Sequence, residues 1–113
     1  MKKDRVKKMR AKKARRVPLP GKPDVSVVIP SYKPGESVVH CLDAVRRQSA
    51  RLSIEVIVVD SSPEPVDQMI HSRHPDVTVV QLRKRTLPGR ARSIGGRMAR
   101  GRVLCFTDTD CVP

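Results

Sequence analysis

Four short apolar runs recur along the chain: Val25–Ile29 (VSVVI), Ile54–Val59 (IEVIVV), Val77–Leu82 (VTVVQL) and Val103–Phe106 (VLCF). Each is rich in β-branched residues, and turn residues or linkers bound most of them, which predicts strands. Three of the four run apolar with little alternation. That pattern suits strands covered on both faces, as in a parallel sheet. Between the runs the spacing becomes helical. After Pro34-Gly35, apolar residues fall at Val38, Val39, Cys41, Leu42 and Val45, one face of a helix that Ser37 or Glu36 can start. Val66, Met69 and Ile70 predict a short second helix. Ala91, Ile94 and Met98 predict a third, which the Gly95-Gly96 pair weakens by roughly 1 kcal/mol per glycine. The order β-α-β-α-β-α-β predicts an α/β layer fold with right-handed crossovers.

Composition sharpens this picture at the N-terminus. The 113-residue chain has a net charge of +13, and residues 1–24 hold 11 of its 24 Lys and Arg against two acids, Asp4 and Asp24. Residues 1–23 therefore read as a basic, solvated tail closed by a stiff Pro18, Pro20, Gly21, Pro23 linker, with the folded domain at 24–113. A sharper reading of the tail is an electrostatic contact with an anionic membrane surface. Without aromatic residues for stacking it is a poor nucleic-acid binder, and no nucleic-acid partner is expected. Tyr32 and Phe106 are the only aromatics, so the core must be aliphatic. Cys41, Cys105 and Cys111 have no paired spacing, which excludes a disulfide framework or a zinc site of ordinary pattern. Cys41 and Cys105 lie in apolar surroundings and are expected to be buried thiols. No apolar run reaches the ~20 residues of a membrane span, and no apolar segment of a secretory signal follows the basic start.

The chemistry is expected at the carboxyl ends of the strands, where open parallel sheets bind ligands. The first run ends in Pro30-Ser31-Tyr32, the second in Asp60-Ser61-Ser62, the fourth in Thr107-Asp108-Thr109-Asp110. In extended backbone Asp108 and Asp110 point to one side, and two converging carboxylates call for a neutralising cation. A hard divalent ion such as Mg²⁺ or Mn²⁺ suits them and leaves positions open for phosphate oxygens. Alone, an Asp-x-Asp is more often a solvated turn; its place in register with two other polar strand ends favours the site. Arg90 and Arg92 fall at a helix start, where a cation and free N–H groups can both face an anion. Arg97, Arg100 and Arg102 read as a solvated helix face. His40 reads as a helix flank, and His71 and His74 as parts of a surface turn. No Walker-type loop, G-x-G-x-x-G or G-x-S-x-G is present, which removes P-loop, dinucleotide and nucleophile-elbow chemistry.

Taken together, the pieces resemble family-2 glycosyltransferases. VSVVIPSYKPGESVVHCLDAVRRQS is similar to the family's opening strand, Pro-Ser/Thr-Tyr turn and first helix. IEVIVVDSS resembles the second strand with its terminal aspartate, and LPGRARSIGGRMARGRVLCFTDTD the Gly-x-Ala-Arg segment and the strand into Asp-x-Asp. The resemblance covers residues 24–113 in order. It implies the N-terminal, donor-binding half of a GT-A fold, a Rossmann-like arrangement. The donor would be a nucleotide-diphospho-sugar, a UDP-sugar first. The acceptor would be a glycan, lipid or cell-envelope precursor. By position, Pro30 and Tyr32 would line the nucleoside pocket, Asp60 would hydrogen-bond the base, and Arg92 would lie near base and phosphates. Asp108 would meet ribose or metal, and Asp110 would hold the Mn²⁺ or Mg²⁺ that bridges the diphosphate. Transfer would invert the anomeric centre, with a carboxylate base acting on the acceptor hydroxyl. Lys33, Ser61 and Ser93 depart from the family's commoner residues.

A full domain of this fold takes about twice this length. The chain is therefore expected to be a fragment whose acceptor site and catalytic base lie beyond Pro113, and its last strand to have an open apolar edge. A bacterial, cytoplasmic protein at the inner membrane face is expected. Two other classes compete: a nucleotide-binding α/β module without transfer chemistry, and an RNA- or membrane-surface binder acting through the tail.

Overall fold

A computed structural model describes residues 21–48 and 51–109, together with the backbone of 11–15. The elements are β1 (Ala11–Arg15), β2 (Val25–Ser31), α1 (Ser37–Arg47), β3 (Ile54–Asp60), α2 (Asp67–His71), β4 (Thr78–Leu82), α3 (Pro88–Met98) and β5 (Val103–Phe106). The sheet order is β1-β4-β3-β2-β5. Strands β2 to β5 are mutually parallel, so every strand and helix of the expected β-α-β-α-β-α-β series is present in its place.

Parallel strands must be covered on both faces, and the side-chain alternation of β2 to β4 shows how. Val27, Ile29, Val58 and Val79 pack with Val38, Cys41 and Leu42 of α1 and Ile70 of α2. Their neighbours Val28, Ile57, Val59 and Val80 pack on the other face with Ala91 and Met98 of α3. The sheet is doubly wound, with α1 and α2 on one side and α3 on the other. Gly95 explains the glycine pair within α3. A Cβ there would stand 2.4 Å from Val28 Cγ1 and 3.1 Å from Val59 Cγ2, so only glycine lets the helix seat on the sheet.

Four details differ from the sequence-based expectation. The basic segment is not wholly tail, for Ala11–Arg15 pairs antiparallel with β4, Ala11 opposite Leu82 and Arg15 opposite Val79. An edge strand offers a row of backbone N–H and C=O groups to any extended segment, so this pairing needs no apolar pattern. The rest of the predicted tail and linker, residues 1–10 and 16–20, lies outside the described residues. Arg100 is not part of a solvated face. Its guanidinium and backbone N–H both reach the buried Glu55, with Nε 2.9 Å from Oε2 and N 2.8 Å from Oε1. Ser26 Oγ donates to the same Oε1 at 2.7 Å. Burial pushes the Glu55 carboxyl up, but the hydrogen bonds from Arg100 and Ser26 outweigh it and hold the group below its ordinary range. His74 is buried rather than on a surface turn, because the end of α2 packs against α1 and brings its Nε2 2.7 Å from Asp43 Oδ1. That bond, with the nearby Arg73, holds the Asp43 carboxyl down.

The fourth difference is Cys105. Cys41 is buried as expected, but Cys105 is exposed. Among the described residues its strand β5 is the sheet edge opposite β1 and is poorly covered: Val103, Leu104 and Phe106 are 54%, 41% and 47% exposed. The open apolar edge read from the sequence is therefore present among the described residues.

Candidate functional site

The strand order reverses between β2 and β5, the point at which α/β sheets open a crevice beyond their carboxyl ends. A cavity of about 540 Å³ lies there, within the usual size range of small-molecule sites. Pro30, Ser31 and Tyr32 line it from the end of β2, Asp108 and Thr109 from the end of β5, and Arg92 from the second turn of α3. Four of the residues singled out in the sequence, Pro30, Tyr32, Arg92 and Asp108, thus share one wall. Asp110 lies outside the described residues.

The crevice is held open by hydrogen bonds between the loops around it. Ser61 N donates to Ser31 O at 3.0 Å, and Ser61 Oγ accepts from Thr86 N at 3.0 Å, which ties the β4–α3 loop to the end of β3. Ser62 Oγ accepts from Lys33 N at 2.7 Å and donates to Asp60 Oδ1 at 2.8 Å. Lys33 turns the chain through φ 45°, the left-handed region that costs a side-chain-bearing residue about 1–2 kcal/mol and that asparagine enters more readily. The Ser62 bond is what retains that turn.

Asp60 takes a different place from Tyr32 and Arg92. Its side chain is fully buried beneath the crevice and does not join the cavity wall. Oδ2 accepts from Ser62 N at 3.0 Å and from Gln81 Nε2 at 2.6 Å, while Oδ1 accepts from Ser62 Oγ. Gln81 also donates to the Ser62 carbonyl at 3.3 Å and accepts from Val66 N. Asp60 therefore organises the loops through Ser62 and Gln81. Its full burial keeps the carboxylate out of reach of a base lying in the crevice as the loops stand here.

At the cavity wall the charges face one another. Arg92 Nη2 stands 3.3 Å from Asp108 Oδ1, with both side chains about half exposed. Cys41 Sγ donates to the Asp108 carbonyl at 3.5 Å, so α1 steadies the end of β5. The Arg85 guanidinium lies 4.5 Å from the Tyr32 ring centroid and Lys33 Nζ 5.5 Å from it, so cations flank the aromatic wall. Ser31 Oγ is buried with no hydrogen-bond partner among the described residues. Arg85 was not singled out in the sequence, and Ser31 was read only as part of the Pro30-Ser31-Tyr32 strand end. The only signals available were a basic run, RKR, and a serine beside the motif tyrosine.

The residues fit a hard divalent cation in part. Such an ion, keeping waters and phosphate oxygens, takes one or two carboxylates, and Asp108 offers one in an open cavity. No group of three or more His, Cys, Asp or Glu able to hold a metal occurs among the described residues.

The family model for glycosyl transferase family 2 matches residues 26–113. The chain belongs to glycosyl transferase family 2. A curated relative, the succinoglycan biosynthesis protein ExoO of Rhizobium meliloti, is 30% identical over 90 residues, which are 78% of this chain and 26% of that protein. Glycosyltransferase AglE of Haloferax volcanii is 29% identical over 96 residues, 80% of this chain and 32% of its own length. The chain thus spans about a third or less of the curated relatives it matches. Among solved structures, the mannosyltransferase PcManGT of Pyrobaculum calidifontis, in complex with GDP-Man and Mn²⁺, superposes with a TM-score of 0.68 at 26% identity. It covers 96% of this chain and 33% of its own. TarS of S. aureus has a TM-score of 0.64 at 24% identity over 77% of this chain and 27% of its own, which supports the fold alone. The fold is that of GT-A glycosyltransferases.

Proposed function

We propose that this chain forms the donor-binding part of a metal-assisted glycosyltransferase that moves a hexose from a nucleotide-diphospho-sugar to an acceptor hydroxyl with inversion. The observation that carries the reading is the crevice at the β2/β5 reversal, walled by Pro30, Tyr32, Arg92 and Asp108. Family membership supports it, and so does the GDP-Man and Mn²⁺ complex of the Pyrobaculum neighbour.

In this reading the nucleoside lies against Pro30 and Tyr32, and the diphosphate faces Arg92 and the cations beside Tyr32. Ser31 Oγ supplies a donor that has no partner among the described residues. Asp60 acts as a positioning residue, holding Ser62 and through it the Lys33 turn. Asp108 and Asp110 would hold Mn²⁺ or Mg²⁺, which neutralises charge gathering on the departing nucleoside diphosphate. Arg92 is released from Asp108 as the anion arrives and pairs with it. The uridine or guanosine preference belongs to the base contacts, and the acceptor, a glycan, lipid or envelope precursor, to residues beyond this crevice.

Calorimetric titration of UDP and GDP into the chain, with and without Mn²⁺, tests the proposal. At least one nucleotide is expected to bind on the order of tenfold tighter or more with the metal, a difference of about 1.4 kcal/mol. Asp110→Ala is expected to abolish that gain while circular dichroism stays unchanged. Equal binding of both nucleotides with and without metal by the folded chain would count against it.

A further inference from the structure

The loop that joins β4 to α3 has two sides. Arg85, Thr86 and Leu87 border the donor crevice and also an adjoining cavity of about 820 Å³, which Arg83, Lys84, Gly89 and Arg90 line without reaching the crevice. Arg83, Lys84, Arg85 and Arg90 are all exposed. Among the described residues, no ion pair involves any of these four. In sequence, no acidic residue stands between Asp76 and Asp108. In the middle of this cationic loop is Leu87, 76% exposed, the most exposed of the large apolar side chains described. An uncompensated cluster of cations around one bare leucine has the chemistry of a surface that meets anionic lipid. The cations answer headgroup phosphates, and the leucine enters the interfacial layer.

The topology adds to this. Ala11 pairs with Leu82, so the chain enters β1 at the end of the sheet where the loop begins. Lys7, Lys8 and Arg10 stand just before it in sequence. We propose that the β4–α3 loop, through Arg83, Lys84, Arg90 and Leu87, is an anionic-membrane contact surface that sets the donor crevice at the lipid interface. The contact is local and interfacial. No helix of the described residues is long and apolar enough to cross a membrane.

The chain has no tryptophan, so Leu87→Trp places a single indole reporter in the loop at a position that is 76% exposed. In the full chain, the indole emission is expected to move to the blue on vesicles rich in phosphatidylglycerol and to stay unchanged on pure phosphatidylcholine. Adding R83Q, K84Q and R90Q is expected to raise the vesicle concentration needed for half the shift on the order of 100-fold, at roughly fivefold per charge. Sedimentation with anionic vesicles but no indole shift would mean that the N-terminal basic segment alone binds lipid, and would overturn the proposal. So would the absence of any sedimentation, an equal shift on neutral vesicles, a shift unaffected by the triple substitution, or an indole response to poly-uridylate at lower concentration than to vesicles.

Discussion

At the residue scale, the side chains that matter most are polar groups inside an apolar pattern. Glu55 sits within an aliphatic run, yet it is 3% exposed and bound by Ser26 and Arg100. Its folded-state pKa lies below its ordinary value, so its stabilisation is full above that value, about 4.3, and fades as pH falls through the lowered one. Glu55→Gln is expected to cost about 1–3 kcal/mol at pH 7. The gap between wild type and variant should narrow on acidification, and thermal melts taken at several pH values would show it. A constant gap down to pH 3 would contradict the ionised network. Gln81 and Asp60 form a second buried polar pair. A glutamine in a strand buried on both faces was a visible irregularity in VTVVQL, but only the fold reveals that it answers Asp60. Asp60 was legible as a strand-end carboxylate. Its full burial was not, because burial depends on loops brought together from distant parts of the chain.

At the element scale, sequence pattern did well where one physical rule dominated. The apolar runs gave all four parallel strands: β2 to β4 are covered on both faces and leave little room for polar residues, and β5 carries the same apolar pattern at an open edge. Strand β1 was missed because edge pairing uses the backbone alone, and Lys-rich sequence is compatible with an edge. Cys105 was misjudged for a related reason: apolar neighbours in sequence do not ensure cover at a sheet edge. Helix α3 was expected to be weakened by its glycines, and the packing shows what they allow. Gly95→Ala is expected to destabilise by about 1–3 kcal/mol, since crowding of Val28 outweighs the helix-propensity gain. Gly96→Ala, whose Cβ would meet nothing nearer than 3.5 Å, is expected to stabilise by up to about 1 kcal/mol. Urea midpoints of the two variants should therefore move in opposite directions. Movement in the same direction would mean that α3 seats on the sheet differently.

At the scale of the whole molecule, topology turns separate strand ends into one site. Pro30 and Asp108 are far apart in sequence, and the parallel pairing of β2 with β5 brings their strand ends side by side. The sequence order of the motifs was enough to read the family, and the position of the crevice followed from the alternation of strands and helices. The division of labour around it was not legible. Asp60 lies beneath the wall rather than on it, and Arg85 stands over Tyr32. The most direct test of the account is to locate a bound nucleoside diphosphate. Amide chemical shifts of the labelled chain would be followed as UDP or GDP is added with Mg²⁺. Perturbations are expected to centre on Ser31, Tyr32, Lys33, Thr86, Arg92 and Asp108. Perturbations centred instead on the cavity between α1 and β3, around Leu52 and His74, or none with either nucleotide in a folded chain, would contradict a donor site at the β2/β5 reversal.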